Sequence, residues 1–161
     1  MNFQDRLERA IERGSQAADA RIRAEVMKTL SAAELRSLHS RSRLELSEHI
    51  ESCLRLLGDR FPGFEFHSIL NEEGWGARIT RDDISLQRGI GSSSRYSRLE
   101  MTISPLGSAP IVELLAKGTI RNKEIFSRTY YQRLEQVDTE SFREMIDLWV
   151  LEFAERFAAS G

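Results

Sequence analysis

The side chains able to carry nucleophilic or metal chemistry are few: one cysteine, Cys53, and three histidines, His39, His49 and His67. A covalent nucleophile needs a base within hydrogen-bond reach. His49 precedes Cys53 by four residues, so the two are neighbours on a helix. Spacing fixes no orienting carboxylate beside them, and Cys53 falls on an apolar stripe, where a thiol behaves as a small inert hydrophobe. No catalytic residue is assigned on this basis, and the reading leans away from an enzyme. Metal chemistry has equally little support. His39 and His49 are separated by about 15 Å of helix at 1.5 Å per residue and cannot share an ion. Glu45 with His49 makes half a site, and Asp82-Asp83 with Glu72-Glu73 are acidic pairs of the kind that water solvates beside turns. The expectation is no metal and no cofactor.

The segment Arg88-Gly-Ile-Gly-Ser-Ser-Ser-Arg95 is the most suggestive stretch for ligand binding. Glycines let backbone approach an anion while hydroxyls and guanidinium groups surround it, so Arg88, Ser92, Ser93, Ser94 and Arg95 are candidate anion-binding residues. The stretch is not a P-loop, because the lysine is missing and a strand, not a helix, is expected to follow. Gly and Ser serve a hairpin connection equally well. Arg6, Arg9 and Arg13, and again Arg36, His39 and Arg43, share helical faces that could follow phosphates. Acidic residues are interleaved with them, however, at spacings typical of surface pairs: Asp5 with Arg9, Arg41 with Glu45, Glu51 with Arg55. Residues 1–60 hold 11 basic and 10 acidic residues, too balanced for an electrostatic footprint on nucleic acid. Tyr96, Tyr130 and Tyr131 suit a stacking platform but are also common strand residues.

These residues sit in two chemically distinct parts. Residues 1–60 contain no Pro, two Gly and one aromatic; residues 61–161 contain all three Pro, eight Gly and twelve aromatics. β-branched residues follow the same division, as expected if strands begin near residue 61. In the first part Phe3, Leu7, Ile11, Gly14, Ala18, Ile22 and Val26 recur every three or four residues, which predicts a helix over about 3–29. Ser31 and Glu34 have capping-box spacing, so a second helix is expected from near Ala32 to Gly58, with Leu35, Leu38, Ser42, Leu46, Ile50, Cys53 and Leu57 on its apolar face. The small residues Gly14, Ala17 and Ala18 favour close approach of a partner helix, either within a hairpin or from a second copy of the chain.

The second part reads as a meander. Strands are expected from Phe64 to Leu70 and from Trp75 to Arg81, the latter interrupted by Asp82-Asp83 before Ile84 to Gln87. Further strands run from Tyr96 to Ser104, Ile111 to Arg121 and Glu124 to Val137, with Asn122-Lys123 as a turn. Leu99, Met101 and Ile103 alternate with Arg98, Glu100 and Thr102, which implies one buried and one wet face. Asp138 or Thr139 caps a final helix with Phe142, Met145, Ile146, Trp149, Val150, Phe153 and Phe157 on one side.

The 161 residues are 40% hydrophobic with a net charge of −2, enough for a real core and inconsistent with disorder. No run approaches the roughly 18 apolar residues of a membrane span. A single cysteine excludes an internal disulfide framework, and the start of the chain lacks the apolar run of a secretory signal, so a cytoplasmic location is expected. Of the charged residues, 20 are Arg and only 3 Lys. The fold expected is α+β: a helical hairpin over 1–60, then an antiparallel sheet of about five strands over 61–161, covered on one face by the C-terminal helix. The other face is left for the second helix or another subunit to cover. The functional expectation is a self-associating protein-interaction module, a homodimer through Leu7, Ile11, Gly14, Ala18 and Ile22 that leaves room for a protein partner. An anion- or nucleic-acid-binding module using the 88–95 segment is the alternative.

Overall fold

The computed structural model describes residues 2–87 and 91–161, without the side chains of 24–30, 85–87 and 91–93. The element order is helix, five strands, helix: α1 (Phe3–Arg60), β1 (Glu65–Asn71), β2 (Gly74–Gln87), β3 (Gly91–Ile103), β4 (Ile111–Ile120), β5 (Lys123–Arg133) and α2 (Thr139–Ala159). The fold is α+β. The chain divides into two compact units, Met1–Ser37 and Leu38–Gly161. Among the described residues no helix is long and apolar enough to cross a membrane.

In the expected helical part, helical backbone takes the place of the turn anticipated between residues 29 and 32. The sequence from Ser15 to Leu57 contains neither Gly nor Pro, and Ser31 and Glu34 are tolerated inside a helix. α1 therefore runs on to the region of Gly58, where Phe61-Pro62-Gly63 ends it; Gly63 has φ 105°.

The sheet is a meander in the order β1-β2-β3-β4-β5, every pair antiparallel. Asp82 and Asp83 do not interrupt β2: they pair with Tyr96 and Arg95 across a long hairpin. Each carboxylate has one oxygen engaged, Asp83 Oδ1 by Arg81 Nε at 2.8 Å and Asp82 Oδ1 by the Ser94 hydroxyl. The β4–β5 turn centres on Arg121-Asn122, one residue earlier than the spacing suggests. Both have positive φ, 49° and 69°, as a two-residue hairpin turn of the right twist demands. Asn122 Oδ1 then accepts from the Tyr96 N–H at 2.8 Å, and its Nδ2 donates to the Ser94 carbonyl at 2.8 Å. The side chain thus continues a ladder that β4 leaves short. β5 ends at Arg133 in a short 3-10 turn, Leu134–Gln136.

Alternation holds through the three central strands. Ala77, Ile79, Leu99, Met101, Ile103, Val112, Leu114 and Ala116 are buried on one face. That face is covered in Leu38–Gly161 by both helices. From α1 come Leu46, Ile50, Leu54 and Leu57, with the Arg43 guanidinium over Trp75 and Arg55 over Phe66. α2 contributes Phe142, Ile146, Trp149, Val150, Phe153 and Phe157. Tyr130 meets Phe142 edge-on, and Phe64 meets Phe157 in the same way. Asp138 is the N-cap of α2, accepting from Glu140 N–H at 3.1 Å and from the Ser141 hydroxyl at 2.8 Å. The helix offered as a cover for the opposite face thus shares the face of α2, and the opposite face carries Arg78, Arg98, Glu100, Thr102 and Lys117.

Candidate functional site

In the Met1–Ser37 unit none of the described side chains is buried. Phe3 is 76% exposed, Leu7 46%, Ile11 61% and Ile22 61%, although apolar residues of this size normally find cover. Together with Gly14 and Ala18 they repeat with an 11-residue period: Phe3 with Gly14, Leu7 with Ala18, Ile11 with Ile22. Eleven residues in three turns matches straight α-helix closely, so the stripe stays on one face over about 30 Å. Successive side chains are set about 100° apart, which places Glu8 and Asp19 along one edge of the stripe and Arg6 and Arg21 along the other. An apolar seam with an acidic border and a basic border is the arrangement by which helices select a partner and its direction.

The Leu38–Gly161 unit holds a second cluster. Its starting point is the rotation of the α1 stripe, in which Leu54 is fully buried while Cys53 lies half-buried at the margin, not within the stripe as its spacing suggests. His39, expected on a basic face, is buried instead. Its Nε2 lies 3.2 Å from the Ser104 carbonyl, which can only accept, so the imidazole donates there. Burial lowers its pKa first; the Ser104 bond acts against that and Arg43 adds to it.

At the margin, α2 supplies what spacing could not. Asp147 Oδ1 lies 2.7 Å from His49 Nε2 and 3.5 Å from Cys53 Sγ, and Cys53 Sγ is 3.6 Å from His49 Nε2. The neighbouring Arg143–Glu45 contact, 2.8 Å, also joins the two helices. The carboxylate oxygen accepts from both, so the ring nitrogen nearest Cys53 bears a proton and offers the thiol no lone pair. Burial pushes the Cys53 thiol up to about 11, with Asp147 adding to the rise through its charge and the hydrogen bond. A nucleophilic cysteine needs the opposite shift. Beside the cluster an apolar groove of about 400 Å³ is lined by Leu56, Leu57, Val150, Leu151 and Ala154.

The segment singled out for anions divides. Arg88 lies outside the described residues. Ser92 and Ser93 belong to β3 by backbone pairing with Leu86 and Ser85, and their side chains are likewise outside. Ser94 and Arg95 are exposed strand residues, and the Ser94 hydroxyl donates to the Asp82 carboxylate. The open sheet face forms a hollow of about 430 Å³ in which Arg78, Arg98 and Lys117 surround Glu100. Its carboxylate takes Arg98 Nη2 at 2.5 Å, with Arg78 Nη1 at 3.7 Å.

No family model, curated protein or solved structure matches the chain.

Proposed function

We propose that the chain is a self-associating interaction module that works as a homodimer, joined by parallel pairing of its N-terminal helical stripe. The observation that carries this reading is the exposed apolar seam of Phe3, Leu7, Ile11, Gly14, Ala18 and Ile22 with its unlike borders. Helices in proteins draw most of their stability from packing an apolar face, and this segment buries none of its described side chains. A second copy supplies the missing surface.

Direction follows from the borders. When two copies are related by a two-fold axis along the helix, the acidic edge of each faces the basic edge of the other. Antiparallel pairing sets acid against acid and base against base, which is unfavourable. Gly14 and Ala18 narrow the seam at its centre and let the backbones approach. The segment is almost balanced, with six acidic and seven basic residues in 1–37, so net repulsion does not oppose association.

Sedimentation equilibrium of Ala18→Glu tests the reading. A carboxylate in the seam loses hydration without a partner, and dimerisation should weaken at least about tenfold. An unchanged dimer constant contradicts it.

A further inference from the structure

We infer that His49, Cys53 and Asp147 form a binding site for a borderline-soft divalent ion, Zn²⁺ in particular, on the seam between α1 and α2. The inference is independent of self-association, since all three residues belong to the Leu38–Gly161 unit.

One nitrogen, one sulfur and one carboxylate oxygen lie within 4.8 Å of one another. Zn²⁺ is bound tetrahedrally at about 2.3 Å from sulfur, about 2.05 Å from imidazole and about 2.0 Å from carboxylate. Those lengths require edges of about 3.6 Å between sulfur and nitrogen, about 3.5 Å between sulfur and oxygen, and about 3.3 Å between nitrogen and oxygen. The first two match the 3.6 Å and 3.5 Å of the structure. The third is the 2.7 Å His49–Asp147 hydrogen bond, which must open by about 0.6 Å, within reach of a half-exposed carboxylate.

The mixed donor set excludes the hard ions. Mg²⁺ and Ca²⁺ require oxygen shells, whereas imidazole with thiolate selects zinc and its neighbours. On binding, the Cys53 S–H proton leaves to solvent as the S–Zn bond forms. His49 gives up its Nε2 proton as the Asp147 hydrogen bond opens, takes one from solvent on Nδ1, and coordinates through Nε2. Three protein ligands leave the fourth position open. Cys53 and Asp147 line the groove walled by Leu56, Leu57, Val150 and Leu151, from which a water would complete the shell.

Helix geometry explains the convergence. His49 and Cys53 are one turn apart on α1, so both reach the same point beside the helix, and α2 brings Asp147 to it. The pair alone is half a site; the packing of the two helices completes it.

The test uses the full chain, stripped with chelator and titrated with Co²⁺ as the spectroscopic probe and then with Zn²⁺. Saturable binding of one ion per chain is expected. The cobalt form should show thiolate-to-metal charge transfer and the visible bands of a tetrahedral ion, and Zn²⁺ should bleach both. Cys53→Ser should remove the charge-transfer band, and His49→Gln and Asp147→Asn should each weaken binding at least tenfold. All three positions are half-buried or exposed, and circular dichroism of each variant reports whether it folds. A further comparison uses His67→Ala, because His67 Nε2 lies 3.7 Å from a Glu65 carboxylate on the surface. Binding that survives Cys53→Ser with an unchanged spectrum, or that His67→Ala removes, overturns the inference. So does the absence of saturable uptake.

Discussion

His49 Nε2 and Asp147 Oδ1 lie 2.7 Å apart although 98 positions of sequence separate them. That contact aims the Asp147 oxygen at Cys53 as well, where it adds to the larger effect of burial on the thiol. At a thiol pKa of about 11, only about one molecule in a thousand is thiolate at pH 8. With chelator present, alkylation of Cys53 by iodoacetamide should therefore be far slower than that of a free cysteine. Asp147→Asn removes the charge and should speed the reaction several-fold, while burial keeps it below the free rate. A wild-type rate equal to that of a free thiol contradicts the geometry.

His39 makes stability depend on pH. Its pKa is lowered in the folded protein from the ordinary 6.5, with burial the main cause. The unfolded chain therefore binds the proton more readily, and stability rises with pH through the window below about 6.5. Its contribution is complete above that value and declines as pH falls toward the folded pKa. His39→Gln should have a flatter urea midpoint profile between pH 6.5 and 5, with a slope difference of at most about 1.4 kcal/mol per pH unit. Parallel profiles contradict the assignment.

Gly76 is required by a close approach. A Cβ placed there would stand 2.0 Å from the Met101 carbonyl oxygen on β3. Gly76→Ala must displace backbone and should lower stability by at least about 1–3 kcal/mol, the usual range for overpacking. Gly107, with nothing within 4 Å, is the matched comparison, and Gly107→Ala should be close to neutral in the same denaturation experiment. Equal effects at the two sites would be inconsistent with the register of β2 on β3.

The parallel direction of the proposed dimer can be read by charge exchange. Glu8→Arg and Arg21→Glu should each weaken association, because each sets like charges along facing borders. Each exposed pair contributes about 0.2–1 kcal/mol and occurs twice by symmetry, so single changes of a few-fold to tenfold in the dimer constant are expected at low salt. The effect should shrink as salt rises. If the single variants strengthen association, the helices run antiparallel.

Much of this architecture is legible in the chain because local period and burial agree. The α2 stripe from Phe142 to Phe157 and the alternation of Leu99, Met101 and Ile103 against Arg98, Glu100 and Thr102 specify helix and half-buried strand without ambiguity. Where the reading departs from the fold, tertiary contacts decide. The Asp82-Asp83 pair resembles a break until Arg81 and Ser94 engage one oxygen of each carboxylate. Arg is unusual at positive φ, so the sequence favours Asn122-Lys123 over Arg121-Asn122 as the turn. The capping pattern at Ser31 competes with a breaker-free run of helix formers. Asp147 sits outside the buried stripe of α2, and nothing in its local pattern ties it to a histidine on another helix. Spacing makes His49 and Cys53 neighbours but offers Glu45 as the metal partner of His49, whereas Glu45 pairs with Arg143 and it is Asp147 that meets His49.

The central claim is that the N-terminal stripe joins two chains, and the most direct measurement is the molar mass of the wild-type protein by light scattering behind size exclusion. At tens of micromolar and low salt the mass should be twice the 18.5 kDa of one chain, and Ala18→Glu should reduce it toward a single chain. A wild-type mass of 18.5 kDa under those conditions contradicts the account.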